Sequence, residues 1–147
     1  MKKSTNRIWY PGSSYAPQDW IDYLTNEING EWTFTDQTET GWDWTLNSNH
    51  QKWISCTFEL LNNKRFYKVF NTLVISFHPG LKTFQEINES NISSFKPKTI
   101  IYAKELFEYG NNELNKEIPM FEEEGYSCEK IVILPKLKRI YASFILS

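Results

Sequence analysis

Residues able to serve as acid, base or nucleophile are few in this chain. His50 and His78 are the only histidines, and Cys56 and Cys128 the only cysteines, in 147 residues. A histidine beside a carboxylate would supply general acid–base chemistry near neutral pH, and a cysteine beside a histidine a thiolate nucleophile. His78 precedes Pro79 and Gly80, so a turn accounts for its position. The two cysteines stand far apart in apolar, strand-like surroundings, which predicts free thiols rather than a bridge. Neither C-x-x-C nor H-x-x-x-H spacing occurs, so no metal site is expected. The six glycines are scattered at 12, 30, 41, 80, 110 and 125 without G-x-G-x-x-G or G-K-S/T, which predicts no nucleotide cofactor. No cofactor of any kind is expected.

Binding chemistry is better represented than catalytic chemistry. All six tryptophans lie within the first 53 residues, and residues 8–51 contain no Lys or Arg. That stretch holds seven carboxylates, Asp19, Asp22, Glu27, Glu31, Asp36, Glu39 and Asp43, so its formal charge is −7. Residues 1–7 contribute +3, and residues 52–147, with 13 basic and 11 acidic side chains, contribute +2, so the total of −2 conceals a polarised chain. Trp20 and Trp32 fit core positions. Within residues 36–50 the set Asp36, Glu39, Trp42, Asp43 and Trp44 combines acidic steering groups with aromatic anchors, the combination that suits a basic protein partner. The other reading of Trp42 and Trp44 is equally simple: they are core residues on one strand face and the acids are their solvated alternates. Glu122, Glu123 and Glu124 read as a solvated helix end, and Lys136, Lys138 and Arg139 are too few to bind a polyanion. No nucleic-acid partner is expected.

The elements that would hold these residues follow from periodicity. Pro17 stands where a first helical turn tolerates proline, and Trp20, Leu24 and Ile28 follow at intervals of four, which predicts a helix over 17–29. Trp32 and Phe34 alternate with threonines, as Trp42, Trp44 and Leu46 alternate with Asp43 and Thr45, giving two strands across a loop at 36–41. Residues 52–60 and 65–77 read as two more strands, with Asn71 as a bulge or edge signal. Four strands in succession predict an antiparallel meander. In the second half, 99–103 is a buried strand, Leu114, Ile118 and Phe121 have helical spacing with Pro119 as a kink or start, and 130–134 with 139–146 form a hairpin. The expected fold is a single α+β domain over 1–147: an N-terminal helix, a four-strand meander and a C-terminal strand–helix–hairpin. Its sheet is mostly antiparallel, with two or three helices on one face.

Three functions compete. The leading one is a small, non-enzymatic protein-binding inhibitor of the bacterial toxin-immunity kind, covering a basic partner such as a nuclease. A carbohydrate-binding module would use the same aromatics against sugar rings, and a small enzyme would use His50 or His78 with a carboxylate. No apolar run approaches the roughly 18 residues of a membrane span and no apolar h-region follows the basic N-terminus, so cytoplasmic residence is expected and membrane association is not.

Overall fold

The computed structural model describes residues 6–14, 16–37, 44–45, 50–55, 59–60, 63–75, 96–105 and 112–147. Ten principal elements follow one another: β1 (Arg7–Pro11), α1 (Gln18–Glu27), β2 (Glu31–Asp36), β3 (Gln51–Ile54), α2 (Lys64–Tyr67), β4 (Thr72–Ile75), β5 (Thr99–Glu105), α3 (Asn112–Glu123), β6 (Tyr126–Leu134) and β7 (Arg139–Leu146). The seven strands form one sheet in the order β3-β2-β1-β4-β5-β7-β6. Strands β3, β2, β1, β4 and β5 run parallel, and β7 inserts antiparallel between β5 and β6.

A parallel strand covered on both faces must be apolar on both. β1 shows this, since Ile8, Trp9 and Tyr10 are all fully buried. Successive side chains point to opposite faces, so Ile8 and Tyr10 join Trp20, Ile21, Leu24, Trp32 and Phe34 on the α1 side. Trp9 joins Tyr67, Phe70, Leu73, Tyr102 and Phe121 on the side of α2 and α3. The helix α1 begins after Pro17, whose extended backbone (φ −72°, ψ 154°) cannot continue inward, and carries Asp19 in its first turn. Gly30 then brings the chain against β1: a Cβ there would collide with the Asn6 carbonyl oxygen, which also accepts the Glu31 N–H at 2.8 Å. Between β1 and β4 the pairing is extended by side chains. Arg7 N–H donates to Asn71 Oδ1 at 2.9 Å, and Asn71 N–H donates to the Arg7 carbonyl at 3.0 Å.

This architecture corrects the expected one. The sheet is mostly parallel rather than mostly antiparallel, and the helices lie on both faces rather than one. Three local errors produced the difference. β1 was missed, because five residues followed by Pro-Gly look like a loop yet form a central strand. The span 65–77 is not one strand: its first part is the short helix α2, capped by Asn63 Oδ1 accepting the Phe66 N–H, and its last is β4. Trp44 and Thr45 lie outside any strand, and β3 stops at Ile54. The helix over 17–29 and the hairpin 130–146 agree with their spacing. Pro119 sits inside α3 rather than at its start.

Candidate functional site

In an open parallel sheet a ligand crevice forms at the carboxyl ends of the strands where the winding reverses, because successive crossovers leave in opposite directions there. Here the reversal lies between β1 and β4. The crevice is therefore bordered by the ends of β1, β2 and β4 and the turns that follow them. Among the described residues these are Pro11 to Ser14 and Asp36 with Gln37; residues 76–95, which follow β4, lie outside that set.

The turn between β1 and α1 is fastened to the end of β2. Gly12 N–H and Ser13 N–H both donate to the Thr35 carbonyl, at 2.8 and 3.3 Å. Gly12 has φ +67°, a left-handed conformation that suits glycine, and a Cβ built there meets nothing within 4 Å among the described residues. No described side chain therefore covers its backbone. Below the turn, Trp9 Nε1–H donates to Thr35 Oγ1 at 2.9 Å and Trp44 Nε1–H to the Ser13 carbonyl at 2.9 Å. Two buried indoles thus fix the floor of the crevice.

Asp36 is the charged group at this end of the sheet. Its Oδ2 accepts the Ser14 hydroxyl at 2.6 Å and the Ser14 N–H at 3.0 Å, and its Oδ1 accepts the Gln37 N–H at 2.7 Å. A carboxylate has about four lone-pair sites, so three donors leave one free. The residue is 8 % exposed. An aspartate held so, beside a bare glycine backbone, can orient a polyol by accepting its hydroxyl protons.

The residues singled out from sequence scatter. Asp36 is at the crevice, but buried at the end of β2 rather than displayed on a surface. Trp44 is buried, against Phe34 with ring centroids 4.7 Å apart, so it packs the core and cannot insert into a partner. Glu39, Trp42 and Asp43 lie outside the described residues, as do Cys56 and His78. His50 stands before β3, at the amino ends of the strands and away from the crevice. Its Nδ1 accepts the Trp32 N–H at 3.4 Å, and burial pushes its pKa below the ordinary value. Cys128 is a free thiol on the exposed edge strand β6, with its pKa pushed up by burial and by the nearby Glu122. Sequence reasoning missed Gly12 and Ser14. The signal was present in Pro11-Gly12-Ser13-Ser14 ahead of a helix, but one glycine does not make the three-glycine phosphate fingerprint.

No family model and no curated protein matches the sequence. Solved structures do match in fold. The methyltransferase domain of bacterial CtHen1 superposes with a TM-score of 0.64 at 14 % identity, over 97 % of this chain and 91 % of that one. Fibrillarin of Aeropyrum pernix, solved with natively bound S-adenosyl-L-methionine, gives 0.64 at 10 % identity, over 97 % and 67 %. The plantazolicin methyltransferase BpumL, solved with SAH, gives 0.60 at 12 % identity, over 99 % and 77 %. These likenesses overturn the expected mostly antiparallel fold, and they contradict the expectation of a toxin-immunity-type inhibitor that is not an enzyme. The chain has the Rossmann-like fold of the methyltransferases.

Proposed function

We propose that this chain is a methyltransferase that takes S-adenosylmethionine at the carboxyl ends of β1 and β2. The observation that carries the reading is the Asp36 carboxylate at the end of β2, next to the open Gly12 backbone at the reversal of the sheet. The residues present fit a nucleoside. Asp36 already accepts one hydroxyl, that of Ser14 at 2.6 Å, and a ribose hydroxyl is the same kind of donor. Gly12 leaves the backbone without a side chain where the ligand must approach closely. When bound, the donor supplies a methyl group activated on a sulfonium sulfur. What the protein contributes is position: direct displacement at such a methyl gains from holding the two reactants in line and needs little else. Trp9 and Trp44, by pinning Thr35 and Ser13, keep the turn and Asp36 in fixed relation.

Calorimetric titration with S-adenosylhomocysteine tests this, beside a pair of variants. Wild type should bind, and Asp36→Ala should weaken binding by about tenfold or more, since hydrogen bonds to a charged group contribute roughly 1.5–3 kcal/mol each. Ser14→Ala frees a lone pair of Asp36 and should leave affinity equal or higher. Absence of binding to the wild-type chain at millimolar ligand would remove the proposal.

A further inference from the structure

On one side the sheet ends in β6, whose outer edge pairs with no described strand. It is the longest of the seven strands, and nine residues present a row of backbone N–H and C=O groups about 30 Å long. Residues 127–131 and Ile133 are exposed, so the strand meets solvent along most of its length. Open edges are normally kept short, bent or charged, because a long flat one pairs with another chain. A bulge does interrupt β6 between Cys128 and Lys130, but from Lys130 to Leu134 its register with β7 is unbroken. That regular part reads Lys-Ile-Val-Ile-Leu, a run rich in the β-branched residues that strands favour.

Two large apolar side chains stand open on this edge. Ile131 is 43 % and Ile133 46 % exposed. Their partners across the ladder are Ala142 and Ile140, which belong to the core on the α3 side of the sheet, so both isoleucines stand on that face. The charges beside the strand are sorted by end. Glu122 and Glu123 close α3 just before β6 begins, and Lys136 and Lys138 occupy the turn just after it. All four are exposed, and none is in an ion pair among the described residues. Within the strand the charges cancel, since Glu129 and Lys130 adjoin. Such an edge is complementary to itself: antiparallel pairing of two copies sets the acidic start of each against the basic end of the other.

We propose that β6 is a homodimer interface, through which two copies of the chain pair antiparallel about a two-fold axis near Val132 to make one continuous sheet. An interface of this symmetry uses the same patch on both subunits, so every favourable contact occurs twice. Ile131 of each copy then lies opposite Ile133 of the other, and the four side chains form one apolar strip on the α3 side. Glu122 and Glu123 of each copy approach Lys136 and Lys138 of the other at the two ends of the strip. The edge is separated from the crevice by β5 and β7, so pairing leaves the donor site of each copy open. The inference therefore stands on this edge and not on methyl transfer.

Analytical ultracentrifugation in reducing buffer, which keeps the exposed Cys128 from linking copies, tests it. Wild type should pass from monomer to dimer as its concentration rises toward about 1 mM, a range that captures even a weak interface. Ile131→Thr with Ile133→Thr keeps β-branched residues in the strand and should weaken dimerisation by about tenfold or more, because the apolar strip is lost. Glu122→Lys with Glu123→Lys should be more monomeric than wild type, as should Lys136→Glu with Lys138→Glu. An equimolar mixture of those two variants should dimerise again, since each acidic end once more faces a basic one. Melting temperatures near that of wild type would show that the variants fold. A wild-type chain that stays monomeric overturns the proposal, as does a dimer that the isoleucine substitutions leave unchanged. A mixture that associates no better than its components overturns the antiparallel arrangement. No methyl donor is present, so failure here leaves the methyl-transfer reading intact, and failure of that reading leaves this one.

Discussion

At the scale of single residues, chemical type was legible and role was not. Asp36 and Trp44 were chosen as an acid and an aromatic, and both sit at or beneath the crevice. Their assignment to a surface failed because alternation along a strand shows which residues share a face, not whether that face meets solvent. Trp44 is drawn inward by two partners the sequence does not reveal, the Ser13 carbonyl and the Phe34 ring. Lys52 Nζ lies 4.9 Å from the Trp44 ring centroid, which adds a cation–π contact. This predicts the effect of Trp44→Phe. The variant removes the indole donor from the Ser13 carbonyl, which keeps the Ala16 N–H at 3.1 Å, so the loss should be about 0.5–1.5 kcal/mol in urea unfolding. It should also loosen the β1–α1 turn, so that S-adenosylhomocysteine binds more weakly than to wild type. A variant as stable as wild type with the same affinity would show that the indole hydrogen bond does not hold the turn.

At the scale of elements, legibility tracked local contact. The helix α1 and the hairpin β6–β7 are set by residues close in sequence, and their spacing located both. β1 depends instead on partners far along the chain: its Arg7 N–H meets Asn71, 64 residues away. Nothing local distinguishes so short a strand from a loop leading into Pro11-Gly12. The same holds for 65–77, where an apolar pattern suited a strand until Asn63 capped α2 and Asn71 turned the chain back toward β1. Helix α3 was legible in its apolar residues, and Leu114 and Phe121 are buried as spaced. Its proline, expected to kink or start the helix, lies inside it. Pro119 is exposed inside α3 and withholds the N–H that the Asn115 carbonyl would accept in a regular helix. What holds the helix despite it is tertiary: Lys104 Nζ of β5 meets Glu117 Oε1 at 2.6 Å, with both side chains largely buried. Pro119→Ala should therefore stabilise the protein, by up to ~3 kcal/mol on intrinsic helix preference. Thermal unfolding followed by far-ultraviolet circular dichroism measures it. A lower melting temperature would mean that the proline itself is needed for packing on β5 and β7.

At the scale of the whole molecule, the direction of strands and the distribution of charge were the parts sequence could not supply. Period-2 alternation says strand and leaves the neighbour open, so four consecutive strands were joined as a meander although β1 is bracketed by β2 and β4. The assembled sheet is then tied together by polar links between distant elements. Tyr126 of β6 donates its hydroxyl to the Pro97 carbonyl at 2.6 Å, and Tyr141 of β7 meets Tyr23 of α1 hydroxyl to hydroxyl at 3.0 Å. Burial raises the pKa of both tyrosines well above the ordinary phenol, reinforced by Glu124 at Tyr126 and by the Tyr23 hydrogen bond at Tyr141. The folded protein thus keeps two protons that the unfolded chain releases near pH ~10. Stability from these groups is complete below that pH and declines as pH rises through the interval up to the folded values. Between pH ~10 and 12 the loss should reach at most about 1.4 kcal/mol per pH unit for each tyrosine. Urea titrations at a series of alkaline pH values should show this slope in wild type. The double variant Tyr126→Phe with Tyr141→Phe should begin less stable at pH 7, for want of two hydrogen bonds, yet lose less on going to pH 12. Curves that fall in parallel would assign the alkaline loss to other groups and leave these two hydroxyls as ordinary structural donors.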